Sequence, residues 1–469
     1  MAENFKKRKE ENELIRRFED HVKNKATYFF ELEAFEEIIA HYSERGQYKH
    51  ALKAIQLASE QYPFSTELIL QHAQVMSQTE RFDEALDLLE RAENLQPADS
   101  EIYFMKGSIH SLLGQYEEAI EDYHNALLYT EDQDEAYYSM GLAFQSMEKY
   151  TEAIEAYKEA IELNIYHEGA LYELAYCLDL TGELEKSISY YLKFIDADPF
   201  SQAAWYNLGI VYNKLERFDE AIEAYEYAIA IEQHFSSAFF NMGNTYAQMK
   251  QYPKALDAYR KTIDIEGASP EVYYQMGVVY QQLEQFDLGL KYYQKATKLD
   301  TMYDEAWFGA GKCLESQDKW YQALHFYNKA LKLDHENPEY WKAVADCEYR
   351  VGNTISSLDA YEEASMLDPE DRDIWLNWSF IYFEQGEYDK AIDLLLTGME
   401  ERPDEAIFFY RLTAYLISAG KYKEAFNYLE NALILDFEGH TALYEFFPKL
   451  ETQKALFRII EQFRKDNLE

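Results

Sequence analysis

A fixed period of 34 residues leaves this chain almost no freedom of architecture. From Leu32 to Gly439 the frame runs without insertion or deletion and divides into twelve equal units. The unit Gln202 to Phe235, QAAWYNLGIVYNKLERFDEAIEAYEYAIAIEQHF, holds two amphipathic stretches at helical spacing joined by a short turn. Self-similarity of this kind replaces several compact domains by one linear, all-α array, in which each unit is covered by its neighbours.

The columns of the repeat say how its two helices meet. At the twentieth position stand Ala51, Ala85, Ala119, Ala153, Ser187, Ala221, Ala255, Gly289, Ala323, Ser357, Ala391 and Ala425, all small. Helices can cross closely only where one offers no bulk, so this column predicts an antiparallel pair within each unit. The eighth position behaves alike, with Gly107, Gly141, Gly209, Gly243, Gly277 and Gly311, while the twenty-fourth is Tyr in eight consecutive units from Tyr123 to Tyr361. Those rings read as core. Gly46, Gly114, Gly182, Gly352, Gly386 and Gly420 mark the turn between the helices, and Pro63, Pro97, Pro199, Pro369 and Pro403 stop the second helix. The tenth unit departs most, with Glu348 at an apolar slot and Thr354 where an aromatic is usual, which predicts looser packing there.

Trp205, Leu208, Gly209, Tyr212, Phe218, Ala221, Tyr225 and Ala228 are the informative positions of the unit, and with the period they resemble the tetratricopeptide repeat (TPR) family. The resemblance implies a right-handed superhelical solenoid of antiparallel helix pairs, a TPR array. On it, residues 1–31 are an N-terminal capping helix behind the basic run Lys6, Lys7, Arg8, Lys9, residues 32–439 are twelve repeats, and residues 440–469 are a degenerate thirteenth repeat that caps the end. Pro448 shortens the first helix of that cap.

The resemblance also implies that the first helices line a concave groove, with the second, fifth, sixth, ninth and twelfth positions pointing inward. Here the fifth position supplies Phe104, Tyr138, Tyr172, Tyr206, Phe240, Tyr274 and Phe308, the second is rich in Glu, Glu135 among them, and Asn207, Asn241 and Asn244 add amides. Rings flanked by carboxylates suit an extended or helical partner segment carrying Lys or Arg. The same columns also serve to solubilise and half-bury the start of the helix, and both readings stand at this point. A chaperone-type carboxylate clamp is argued against, because no repeat joins Lys at the fifth position to Asn at the ninth: Asn244 follows Phe240, and Lys342 precedes Asp346.

Charge points the same way. The chain carries 87 acidic against 44 basic side chains, a net of −43, which repels nucleic acid and anionic lipid and favours basic partners. No apolar run approaches the length of about 18 residues that a spanning helix needs, and the start has no apolar signal core, so the expected location is the cytoplasm without membrane insertion. No phosphate loop, paired-His zinc helix, CxxC pair or nucleophile elbow occurs, so neither catalytic residues nor a metal or cofactor are expected. Cys177, Cys313 and Cys347 all fall at the tenth position and read as small packing residues. The expectation is a non-catalytic protein-interaction scaffold or adaptor. The alternative is a regulatory or targeting subunit of an enzyme assembly, contacted through a convex acidic face or by self-association.

Overall fold

The computed structural model describes residues 2–23, 28–130, 132–447 and 450–467, and every regular element among them is a helix. The side chains of Lys6, Lys7, Arg8 and Lys9, and Pro448 altogether, lie outside the described residues. The chain divides into two compact units, Met1–Ala238 and Phe239–Glu469.

In the first unit, helix Ala2–Val22 precedes helical hairpins that begin at Leu32, Thr66, Ser100, Asp134, Glu168 and Gln202, each 34 residues after the last. Gln202–Lys214 followed by Phe218–Ile231 is representative. In the second unit the same interval runs from Pro270–Gln282 with Phe286–Leu299 to Ala406–Ser418 with Tyr422–Leu435, and the short helix Leu443–Phe446 and the helix Leu450–Asn467 follow. The architecture is an all-α helical repeat solenoid.

The glycines of the eighth column are explained by one contact. A Cβ added at Gly209 would stand 2.5 Å from Cε1 of Tyr225, and one at Gly141 2.4 Å from Cε1 of Tyr157, so the core tyrosine lies flat on a bare α-carbon of its own hairpin. Residues Ala51, Ala85, Ala221 and Ala323 of the other small column are fully buried. At Gly289 the close neighbour is instead Sγ of Cys313, 2.9 Å from an added Cβ, which places that cysteine as a packing residue of the next hairpin.

The turn inside each hairpin needs one residue in the left-handed region. Glycine supplies it at Gly46, Gly114, Gly182, Gly352, Gly386 and Gly420, where φ runs from 67° to 90°. At the same place in the remaining hairpins stand Glu80, Glu148, Glu216, Lys250, Glu284 and Asp318, with φ between 57° and 60°. The geometry is held by closing bonds such as Arg217 N donating to Tyr212 O at 2.9 Å, so the turn forces the conformation on an L residue that disfavours it.

The tenth hairpin, for which looser packing is expected, is regular. Pro338–Arg350 and Thr354–Leu367 are unbroken, and Glu348 accepts a 2.7 Å bond from Asn353 Nδ2 in the turn instead of entering the core. The irregular hairpin is the fifth. There Leu184 stands where most repeats open the second helix with an aromatic, and the chain makes a 3-10 turn over Leu184–Lys186 before the helix Ser187–Ala197, with Ser187 Oγ donating to Leu184 O at 2.7 Å.

Candidate functional site

In six hairpins the fifth position of the first helix lies beside the core tyrosine of the second. In the first unit Phe104 leans on Tyr123 with ring centroids 5.5 Å apart, Tyr138 on Tyr157 at 6.0 Å and Tyr206 on Tyr225 at 6.0 Å. Tyr172 is the one that stands out, 51 % exposed. In the second unit Phe240 leans on Tyr259 at 5.9 Å, Tyr274 on Tyr293 at 5.6 Å and Phe308 on Tyr327 at 5.2 Å. These rings are the outer layer of the core, half-buried by it and half offered to the outside.

Phe308 departs from the groove expectation. It is only 7 % exposed, because Tyr340 packs against it at 4.6 Å and Lys312 Nζ lies 4.5 Å over its ring. Asn244 is engaged internally as well: its Oδ1 accepts the Tyr259 hydroxyl at 2.8 Å. Asn241 is partly buried.

The residues that the structure brings together fall in two hollows of the first unit. Phe104 and Glu135 line one of about 300 Å³ with Glu101 and Asp132, so one ring and three acidic residues share a hollow. Burial and the neighbouring carboxylates of Glu67 and Asp99 push the Glu101 carboxyl above its usual range. Tyr172 and Asn207 line another, of about 170 Å³, with Tyr176 and Lys214, whose ammonium pairs with Asp179.

Reading the fifth column alone misses the residue that covers it from the end of the same repeat. His167 packs on Tyr138 at 4.6 Å, Phe235 on Tyr206 at 4.9 Å and Tyr303 on Tyr274 at 5.1 Å. His167 also caps the next helix, its Nδ1 accepting from Ala170 N at 3.1 Å, which fixes the proton on Nε2. A search of the thirty-fourth position for flat side chains finds these three. In the second unit a further hollow of about 530 Å³, lined by Asp346, Asn377, Phe380 and Arg411, lies at sixth and ninth positions, two of the columns expected to face the groove.

Among the described residues no group of three or more His, Cys, Asp or Glu side chains could hold a metal ion. The three cysteines are free and buried, and burial pushes the Cys313 and Cys347 thiols up to about 12, far from a reactive thiolate. No helix among the described residues is long and apolar enough to cross a membrane.

Family models described as tetratricopeptide repeat match residues 134–165, 203–235, 169–201, 270–301 and 351–410, and one described as TPR repeat matches 107–148 and 243–284, together just over half of the chain. The chain belongs to the tetratricopeptide repeat family. No curated protein matches it. Among solved structures this TPR chain is similar to YrrB, titled a TPR protein with an unusual peptide-binding site, at 22 % identity over 40 % of this chain and 96 % of that one, TM-score 0.35. It is also similar to the APC/C hetero-tetramer Cut9-Hcn1, at 14 % identity over 82 % and 96 %, TM-score 0.38. Yeast Tom70 is similar at 15 % identity over 86 % and 96 %, TM-score 0.40. A TPR array is a scaffold for protein–protein interaction and generally non-catalytic, and this TPR chain is such a scaffold.

Proposed function

We propose that the protein is a non-catalytic scaffold or adaptor whose first helices line a concave groove for an extended or helical, basic segment of a partner. On this reading residues 1–31 and 440–469 cap an array of twelve repeats, and the protein works in the cytoplasm without a cofactor. The observation that carries the proposal is the hollow at Phe104, whose lining that ring shares with Glu101, Asp132 and Glu135, and where the Glu101 carboxyl is already pushed up by burial and by its acidic neighbours. A lysine or arginine entering there relieves that repulsion and meets the ring by cation–π contact. Exposed Tyr172 with Asn207 offers a second contact of the same kind, ring and amide side by side.

The test is the affinity of a fluorescent Lys- and Arg-rich peptide, against an Asp- and Glu-rich peptide of equal length, for the wild type and for Phe104→Ala, Tyr172→Ala and Glu101→Gln/Glu135→Gln. The expected result is binding of the basic peptide alone, weakened by each variant and weakened again between about 50 and about 500 mM salt. Affinity indifferent to salt and to all three variants would overturn the proposal.

A further inference from the structure

The fourth position of the first helix is aromatic in most repeats: Phe35, Tyr103, Trp205, Tyr273 and Trp307 are examples. The structure shows where that ring goes. Trp205 stacks on Tyr227 at 4.4 Å, Tyr273 meets Tyr292 at 5.9 Å, Trp307 meets Phe326 at 5.8 Å and Phe409 meets Tyr428 at 6.1 Å. Each contact is with the twenty-third or twenty-sixth position of the same hairpin. In the eighth repeat the twenty-sixth residue is a cation, and Lys295 Nζ sits 4.7 Å over Tyr273 and 4.5 Å over Tyr292.

The second repeat lacks these rings. Its fourth position is Ile69 and its twenty-third is Leu88, and it is the one repeat of the twelve with no aromatic at either. Its twenty-sixth position is Arg91, which has no ion-pair partner among the described residues. Where the ring is missing, a hollow of about 580 Å³ opens between the helices Tyr48–Gln61, Thr66–Gln78 and Phe82–Leu95. Buried Ile69, Met76 and Leu88 form its floor, and Arg91 stands exposed at its mouth. His72 on its wall stays uncharged, because burial and the charges of Arg81 and Arg91 hold its pKa below the ordinary histidine value.

We propose that this hollow is a docking site for an aromatic side chain of a partner peptide, which supplies the ring that the second repeat lacks. The ring would lie on Leu88 with its face to the Arg91 guanidinium, as Tyr273 lies on Tyr292 beneath Lys295 in the eighth repeat. An aliphatic side chain would fill the floor but leave the guanidinium without a partner face. The site is independent of the first-helix groove, so it stands or falls separately from it.

The test labels the methionine methyl groups with carbon-13, assigns Met76 through Met76→Leu, and titrates with N-acetyl-tryptophanamide and, in parallel, N-acetyl-leucinamide. The expected result is a saturable shift of the Met76 signal with the aromatic probe and a several-fold weaker response to the aliphatic one. Ile69→Trp restores the ring from within; it should keep or raise the thermal midpoint and abolish the response. Arg91→Ala, an exposed change, should weaken the aromatic probe at least threefold without moving the midpoint. A silent Met76 in the wild type, equal response to both probes, or a response that survives in Ile69→Trp overturns the proposal. Should Ile69→Trp melt below the wild type, Arg91→Ala decides, and unchanged affinity there overturns it.

Discussion

A flat ring on a bare α-carbon is the residue-scale contact on which the hairpins are built. Gly209→Ala would drive a Cβ to 2.5 Å from buried Tyr225, whose ring would have to shift. We expect a loss of about 1–3 kcal/mol, read by urea unfolding and by faster hydrogen exchange across residues 202–231. Glu216→Gly should do the reverse a few residues away. It releases an L side chain from φ 58° and should add roughly 1 kcal/mol, a gain that Gly46 and its equivalents already enjoy. How much of this could be read in advance differs by residue. The twentieth column is legible because it is small in all twelve units. The left-handed turn is legible where glycine marks it, as at Gly182, and invisible at Glu216 or Lys250, whose side chains say nothing of φ. The covering rings His167, Phe235 and Tyr303 escape sequence reading because their column elsewhere holds only polar residues or glycine, as at Ser65, Gln133, Glu405 and Gly439.

Helix ends decide the behaviour of single elements. Ser201 is buried and works twice: its Oγ accepts from Ala204 N at 3.2 Å to cap Gln202–Lys214 and donates to Glu168 Oε1 at 3.1 Å in the preceding hairpin. Ser201→Ala removes both and should cost about 1–2 kcal/mol. Amide exchange should rise at Ala204 and its neighbours first, while a uniform rise along the first unit would contradict a local cap. The sequence points to the tenth hairpin as the weak element, yet the visible irregularity is the 3-10 turn of the fifth. The difference is physical. Glu348 has a partner within reach in Asn353, whereas Ser187 Oγ bonds back to Leu184 O and closes a 3-10 turn ahead of its helix.

At the scale of the molecule, like charge works against the fold. Glu36, Glu101 and Glu305, and Asp122 and Asp346 on other faces, all have carboxyls raised above their ordinary range, in each case first by burial. Each then binds its proton more tightly folded than unfolded. That contribution to stability is fully present below the unfolded carboxylate range and is lost as pH rises through the higher folded one. With a net charge of −43, the thermal midpoint should therefore rise as pH is lowered from neutral toward the ordinary carboxylate range, and scanning calorimetry at fixed ionic strength would show it. A flat or falling midpoint over that interval would contradict the account. The stacked tyrosines carry a consequence at the other end of the scale. Burial keeps Tyr157, Tyr191, Tyr259, Tyr293, Tyr327 and Tyr361 protonated well beyond the ordinary phenol range, while exposed Tyr166, Tyr321 and Tyr422 face solvent. In rising alkali the near-ultraviolet phenolate band of these buried rings should stay silent and then grow abruptly as the hairpins open, so that the protein's own colour reports the integrity of its spine.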